Sequence, residues 1–340
     1  MARRGGLVVA ALATVAGCSQ GGGAESPGGD SDEKPFEGET IDFVVPFDPG
    51  GGYDTYTRMI APYLAECLGA EIVVRNEPGA GSLLATNATA VAEPDGSRIQ
   101  IMNMPGAVAA QIAGDEGARF DLSEFSWIGR IAAPPEVVLT GADSEFESFE
   151  DLLEQTEPVQ FVATGPGASD YINANVIAQA YDIPYEVATG FAGAGEATAA
   201  VVAGQADIHV MPFDSVLKSF SSGDARPLVV MADELPKYHP ETPLVGEFEP
   251  PKAEGQELLD DLAALTETGR SVAGPPGMDE NLLSALREGL TCAMEDQKLL
   301  DELDSQKRPV TFLEGAEYAE VVEQALNPSD AFRSVIESSY

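Results

Sequence analysis

Apolar residues fall in short continuous runs, and between the runs they recur every three or four positions. This alternation continues from about residue 40 to the end of the 340-residue chain. The continuous runs read as strands buried on both faces, and the 3.6-residue spacing reads as helices with one face turned to a core. Residues 41–46 form the first such strand, and residues 53–68 a helix whose apolar face continues through Met59, Ile60, Tyr63 and Leu64. Further strands are expected at 71–75, 98–102, 127–132, 136–140, 159–164, 186–189, 207–211, 227–231, 271–273 and 309–312. Helices are expected at 82–91, after Pro105, at 149–155, from about 170 to 181, and at 196–203, 258–266, 279–295, 297–305 and 316–325. Strand alternating with helix predicts an α/β fold built on mostly parallel sheet. Strands 127–132 and 136–140 are expected to cross between domains, and the Pro-rich stretch 236–251 to run over the surface. There is no internal repeat.

Three strands end in glycine-rich loops that open helices. The first is Phe47-Asp48-Pro49-Gly50-Gly51-Gly52, the second Gly165-Pro166-Gly167-Ala168-Ser169-Asp170, and the third Gly190-Phe191-Ala192-Gly193-Ala194-Gly195. Glycine lets a ligand approach bare backbone, and the unbonded N–H groups of a first helical turn favour an anion. None of the loops carries the lysine of a phosphate-binding loop, and Gly50, Gly51 and Gly52 do not make a GxGxxG fingerprint. A small carboxylate suits them better than a nucleotide. In open α/β sheets ligands bind beyond the carboxyl ends of the strands, where such loops converge.

Composition narrows the partners. The chain has 57 acidic and 18 basic residues, for a formal charge of −39. That excludes nucleic acid, whose phosphates need Lys and Arg, and it argues against an anionic membrane held through the protein surface. The acid is spread along the whole chain, as on a surface adapted to high salt. Screening is nearly complete in molar salt and weak in dilute buffer, so the fold is expected to lose stability as salt is withdrawn. A melting temperature that stays flat from low to molar salt would overturn this.

The beginning of the chain reads as an export signal. Arg3 and Arg4 precede an apolar run at 7–15, and Val15-Ala16-Gly17-Cys18 looks like a lipobox, which predicts a signal peptide over 1–17 and a lipid on Cys18. The run is too short to span a bilayer. Residues 18–38 are mostly Gly, Ser, Asp and Glu and are expected to be a flexible tether. Cys67 and Cys292 remain, both on predicted helices. Export permits a disulfide between them, and two buried thiols are the alternative. No CxxC or HxxxH spacing suggests a metal, and His209 and His239 are the only histidines.

The loops and turns together resemble the extracytoplasmic solute receptors of tripartite tricarboxylate transporters, the Bug family. Val45-Pro46-Phe47, Gly50-Gly51, Asp54 and Arg58 match its opening pattern, and Asn76-Glu77-Pro78-Gly79-Ala80-Gly81 its glycine turn, with Ser82 in place of the last glycine. Pro94-Asp95-Gly96, Gly204-Gln205-Ala206-Asp207, Phe213-Asp214, the Ser222-Gly223 turn and Gly274-Pro275-Pro276-Gly277 follow in the family's order. The resemblance covers nearly all of residues 40–335. It implies a periplasmic binding protein of type II architecture: two α/β lobes, two connecting strands and a ligand in the cleft. Lobe 1 would comprise 39–135 plus 250–340, and lobe 2 136–249.

The resemblance also implies a protein that captures a small carboxylate and delivers it to a membrane permease, without catalysis or a cofactor. Such a receptor would be a monomer anchored outside the cytoplasmic membrane by its lipid. A ligand-presenting sensor of the same fold, serving a membrane signalling protein, is the alternative. Carried over by position, Gly51, Gly52, Tyr53 and Asp54 would form one lobe's anion cradle, with Gly81 and Ser82 alongside. The other lobe would supply Gly165, Gly167, Ala168, Ser169, Phe191, Ala192, Gly193 and Asp214. The chain departs from the pattern at Phe191-Ala192, where the family has Tyr and Lys, at Glu196, where Pro is usual, and at Asp170-Tyr171, where its His is missing. Asp170 would disfavour a second ligand carboxylate if it faces the cleft.

Several of these residues also have structural readings. Asp54 could complement the helix dipole or pair with Arg58. Asp214 could cap the next helix. Phe191 and Tyr53 could pack on the core. A serine hydrolase finds little support, because Gly167-Ala168-Ser169 is not the GxSxG elbow such enzymes need.

Overall fold

The structure, a computed structural model, describes residues 35–340 except Gly167, Pro236 and residues 238–240. The export signal, Cys18 and most of the expected tether lie outside the described residues. The tether is corrected at its end. Phe36 is buried, its ring sits against Gly96, and the Gly38 amide donates to the Gly69 carbonyl. One aromatic side chain among polar neighbours is enough to dock the segment, because the site on the body excludes water from it.

The strands divide into two sheets. β1 (Thr40–Val45), β2 (Glu71–Asn76), β3 (Arg98–Asn103), β4 (Ser126–Ala132), β10 (Arg270–Gly274) and β11 (Leu313–Glu314) form a six-stranded sheet in the order β11-β4-β10-β3-β1-β2. β5 (Glu136–Gly141), β6 (Val159–Val162), β7 (Tyr185–Ala188), β8 (Ile208–Pro212) and β9 (Ala225–Met231) form a five-stranded sheet in the order β7-β6-β8-β5-β9. The parallel pairs are β1 with β2 and β3, and β6 with β7 and β8. β5 and β10 run antiparallel to their neighbours. The sheets are therefore mixed rather than mostly parallel, because each receives a strand entering from the other half.

β5 shows why the strands read as unbroken apolar runs. Val137 and Leu139 pack on one side of its sheet with Val201, Phe213 and Val230, and Val138 packs on the other with Phe161, Ile208 and Val210. Ala133, Pro134 and Pro135 are all that separate β4 in one sheet from β5 in the other. The return crossing, from β9 to β10, runs through the helix Ala253–Thr268.

Helices from both halves also pack together. Ser169–Ala180 touches Met104–Ala113, Ala253–Thr268 and the last helix, Asp330–Ser339. That last helix lies beyond the final one expected from sequence. Residues 309–312 do not form a strand: the Thr311 amide donates to the Ile131 carbonyl of β4, but the sheet ladder begins at Leu313.

The helices Gly52–Leu68 and Glu280–Glu295 pack through Leu64, Leu68 and Leu290, and the Cys67–Cys292 disulfide joins them with 6.1 Å between Cα atoms. This closes the question that sequence left open. The bond spans 225 residues, so it removes much chain entropy from the unfolded state. Reducing it, or replacing both cysteines by serine, is expected to lower stability by roughly 2–5 kcal/mol. Denaturation with and without reductant would check this; superimposable curves would refute it. Among the described residues no helix is long and apolar enough to cross a membrane.

Candidate functional site

Three helices end their approach to the sheets at one cavity of about 530 Å³. They are Gly52–Leu68 from the six-stranded half, and Ser169–Ala180 and Ala194–Val202 from the other. Their N-cap residues are Gly51, Ala168 and Gly193, and none of the three receives a side-chain cap. In each case an acid in the first turn reaches back into the preceding loop instead. Asp54 accepts from the Gly50 amide at 2.9 Å, Glu196 from the Ala192 amide at 2.8 Å, and Asp170 from the Thr164 amide at 2.8 Å. The loops are thereby fixed while the N–H groups of the first two helical residues stay open; the third-residue amides of two of the helices, Tyr171 and Glu196, already donate to the Ala168 and Gly193 carbonyls. The open groups carry the positive ends of the helix dipoles.

Glycine is required at one of these positions. A Cβ on Gly52 would lie 2.4 Å from Ser215 Oγ and 2.9 Å from Arg270 Nη2, so the backbone of the first loop rests directly on the second half. Gly51 is different, since a Cβ there would meet nothing within 4 Å.

Of the residues expected from sequence, Gly51, Gly52, Tyr53, Ala168, Ser169 and Gly193 line the cavity. Gly167 lies outside the described residues. The remainder sit elsewhere, each for a visible reason. Asp54 is buried and bonded to Arg58 and Asn76; burial raises its pKa, but those bonds and the Gly50 amide outweigh it and hold the carboxyl below its ordinary value. Gly81 and Ser82 stand one layer back, beside Asn103, whose Oδ1 accepts from the Tyr53 hydroxyl at 2.9 Å. Gly165 closes on Gly81, where a Cβ would come within 3.2 Å of the Gly81 nitrogen. Phe191 packs against the cluster around Phe213, and Ala192 is exposed.

Asp214 is the main correction. It is fully buried and bonded by both terminal nitrogens of Arg270, at 2.8 and 2.9 Å, while Arg308 donates to its carbonyl. Asp214 follows β8 in one half, and Arg270 lies on β10 in the other. The Arg270 guanidinium also lies over the Tyr53 and Tyr56 rings, 4.7 and 5.2 Å from their centroids. Burial works against its charge, but Asp214 and the two tyrosines hold its pKa above the ordinary value. Burial likewise pushes the Tyr53 hydroxyl up, so it stays neutral.

Sequence reasoning missed Asp48, Thr164, Met211, Ser215, Lys218 and Ser222, which also line the cavity. Ser215 ends a 3-10 turn and Lys218 lies in a helix of only six residues, Leu217–Ser222, too short to show a period. Asp170 does face the cavity, yet its oxygens are turned to Thr164 and to His209 Nε2, 3.3 Å away. His209 is fully buried and its Nδ1 lies 3.0 Å from Thr198 Oγ1. Both ring nitrogens are therefore engaged, and neither can serve Ser169 as a base.

Residues 56–332 match the model of the tripartite tricarboxylate transporter family receptor. The chain belongs to this receptor family. It is 24% identical over 286 residues to protein BugT of Bordetella pertussis, covering 80% of this receptor and 81% of BugT. Among solved structures it is similar in fold to MatC from Rhodopseudomonas palustris with bound malate, with a TM-score of 0.73 at 20% identity over 88% of this receptor and 99% of MatC. An R. palustris protein solved with adipate gives a TM-score of 0.74 at 17% identity over 88% and 97%. The family's solute-receptor role fits a cleft that offers open backbone N–H groups.

Proposed function

We propose that this receptor captures a small carboxylate in the cleft between the two sheets and delivers it to a tripartite tricarboxylate-type permease. The carrying observation is the convergence of three N-termini, none capped by a side chain, on one cavity. Each offers N–H donors with the favourable dipole sign, and a carboxylate bridging two halves would hold them closed. The malate and adipate in the two fold relatives support a carboxylate as the ligand class.

In this reading lobe 1 (39–135 plus 250–340) and lobe 2 (136–249) move about the Ala133-Pro134-Pro135 crossing and its return. The lipobox at Cys18 supports export followed by lipid anchoring on the outer face of the cytoplasmic membrane, with the acidic surface bathed in high salt. The anchored receptor works as a monomer.

A thermal-shift screen of residues 35–340 in molar salt tests the function. Citrate, succinate, malate, aspartate and benzoate would be compared with an uncharged sugar. A carboxylate at a hundredfold excess over its Kd adds about 2.7 kcal/mol of stability. Gly51→Leu supplies the control. Its extended backbone (φ −78°, ψ −178°) and open surroundings accept a side chain, which would then fill the cradle. The variant is expected to melt near the wild type and to lose the ligand-induced shift. A shift with the sugar, or an undiminished carboxylate shift in Gly51→Leu, would place the ligand elsewhere.

A further inference from the structure

Lys218 is the one basic side chain among the described residues that line the cavity. It is exposed, and among the described residues no carboxylate lies within 4.0 Å of its ammonium. That is unexpected in a cavity whose walls also carry Asp48, Asp170, Glu196 and Asp224, in a chain with 57 acidic and 18 basic residues. Three of the four acids already have partners of their own: Asp170 holds Thr164, Glu196 the Ala192 amide, and Asp224 the Ser222 hydroxyl at 2.6 Å. The lysine therefore stays uncommitted where four carboxylates could have claimed it.

Its place in the fold gives that charge a use. Ser215 stands against Gly52 at the anion cradle, and the helix Leu217–Ser222 starts two residues later. Lys218 lies within its first turn, with Ser219 beside it on the cavity wall. A ligand seated on the first-turn amides thus meets an ammonium and a row of serine hydroxyls a short distance further along. Ammonium and hydroxyl donors together suit a second anionic group. They also offset the charge of Asp170, which by itself would repel one.

We propose that Lys218 is a specificity residue of this cleft, taking the second carboxylate of a dicarboxylate by a direct ion pair while the helix N-termini hold the first. This rests on the carboxylate-receptor reading and adds to it the residue that counts the ligand's charges. A lysine ammonium is a flexible point charge rather than a rigid fork, so the second carboxylate is selected for its charge, with tolerance for chain length. A neutral group at that end gains nothing from the ammonium and still faces the acidic wall.

The experiment is isothermal titration of wild type, Lys218→Gln and Lys218→Arg with four- to six-carbon dicarboxylates and the matching monocarboxylates. Because Lys218 is exposed and its ammonium has no ion-pair partner among the described residues, both variants are expected to melt with the wild type. Wild type should bind its best dicarboxylate about tenfold tighter than the matching monocarboxylate. Lys218→Gln should lose that tenfold preference with monocarboxylate affinity unchanged, and Lys218→Arg should recover most of it. Equal losses for both ligand types, or a dicarboxylate preference that survives Lys218→Gln, would overturn the proposal while leaving the receptor reading standing. A wild type that binds no carboxylate of either type would remove the receptor reading, and the role of Lys218 with it.

Discussion

Replacing Asp214 by alanine is expected to cost about 3–5 kcal/mol, the range for removing one partner of a buried ion pair. The loss is large because of what stays behind. Arg270 is 1% exposed, and both of its terminal nitrogens donate to this one carboxylate. Without it, a guanidinium would remain in the interior with Ser215 Oγ and two tyrosine faces as company. Arg308 would lose the same carboxylate. Since Asp214 and Arg270 come from different sheets, the damage should also loosen the seating of Gly52 against Ser215 and so weaken ligand binding. The double variant Asp214→Leu, Arg270→Met should be far less damaged, because it leaves no stranded charge on Arg270. Urea denaturation of the three proteins in molar salt would measure this. A single variant as stable as wild type would show that the pair is solvated in solution.

Glu136 is expected to make the fold less stable as pH rises, which is opposite in sign to an ordinary surface carboxylate. It is the first residue of β5, at the crossing between sheets, with 1% exposure and no hydrogen-bond partner for Oε2. Burial pushes its carboxyl up from the ordinary 4.5 to about 8. Arg270 draws it back, and Asp170 and Asp214 push it further. Between those two values the folded state keeps a proton that the unfolded state has released. Stability is then fully present below about pH 4.5, falls by about 1.4 kcal/mol per pH unit up to about pH 8, and is level beyond that for this group. Asp54, whose pKa is lowered, acts only on the acid side of this window, where stability falls as pH drops. Glu136→Gln should remove the slope between pH 4.5 and 8 and raise stability above it. Parallel curves for the variant and the wild type would mean that Glu136 is ionised in the fold.

Much of this molecule could be read along the chain, and the failures follow a physical rule. Strands buried on both faces, such as 136–140, announce themselves by unbroken apolar runs, and the long amphipathic helices by their period. The three glycine loops were legible because glycine followed by a helix is a local signal. Six of the expected site residues do line the cavity. Of the seven misplaced ones, three have polar side chains, Asp54, Ser82 and Asp214, and their direction depends on the partners they meet. Asp54 and Asp214 sit beside the right loops, but Arg58 and Asn76 turn the first and Arg270 the second away from the cavity.

What the sequence determined by itself is therefore the local part: the succession of strands and helices, the acidic balance, the backbone-lined cradle and the family. Those depend on residues within one or two turns of each other, where periodicity and glycine chemistry act directly. Only the tertiary structure decided the Cys67–Cys292 bond, the Asp214–Arg270 pair between the sheets, the buried Glu136 and the uncommitted ammonium of Lys218 in the cleft. Each depends on which groups lie within a few ångströms after residues far apart in the chain are brought together. A one-dimensional pattern carries no distance of that kind, because burial and charge pairing arise only once the two halves pack.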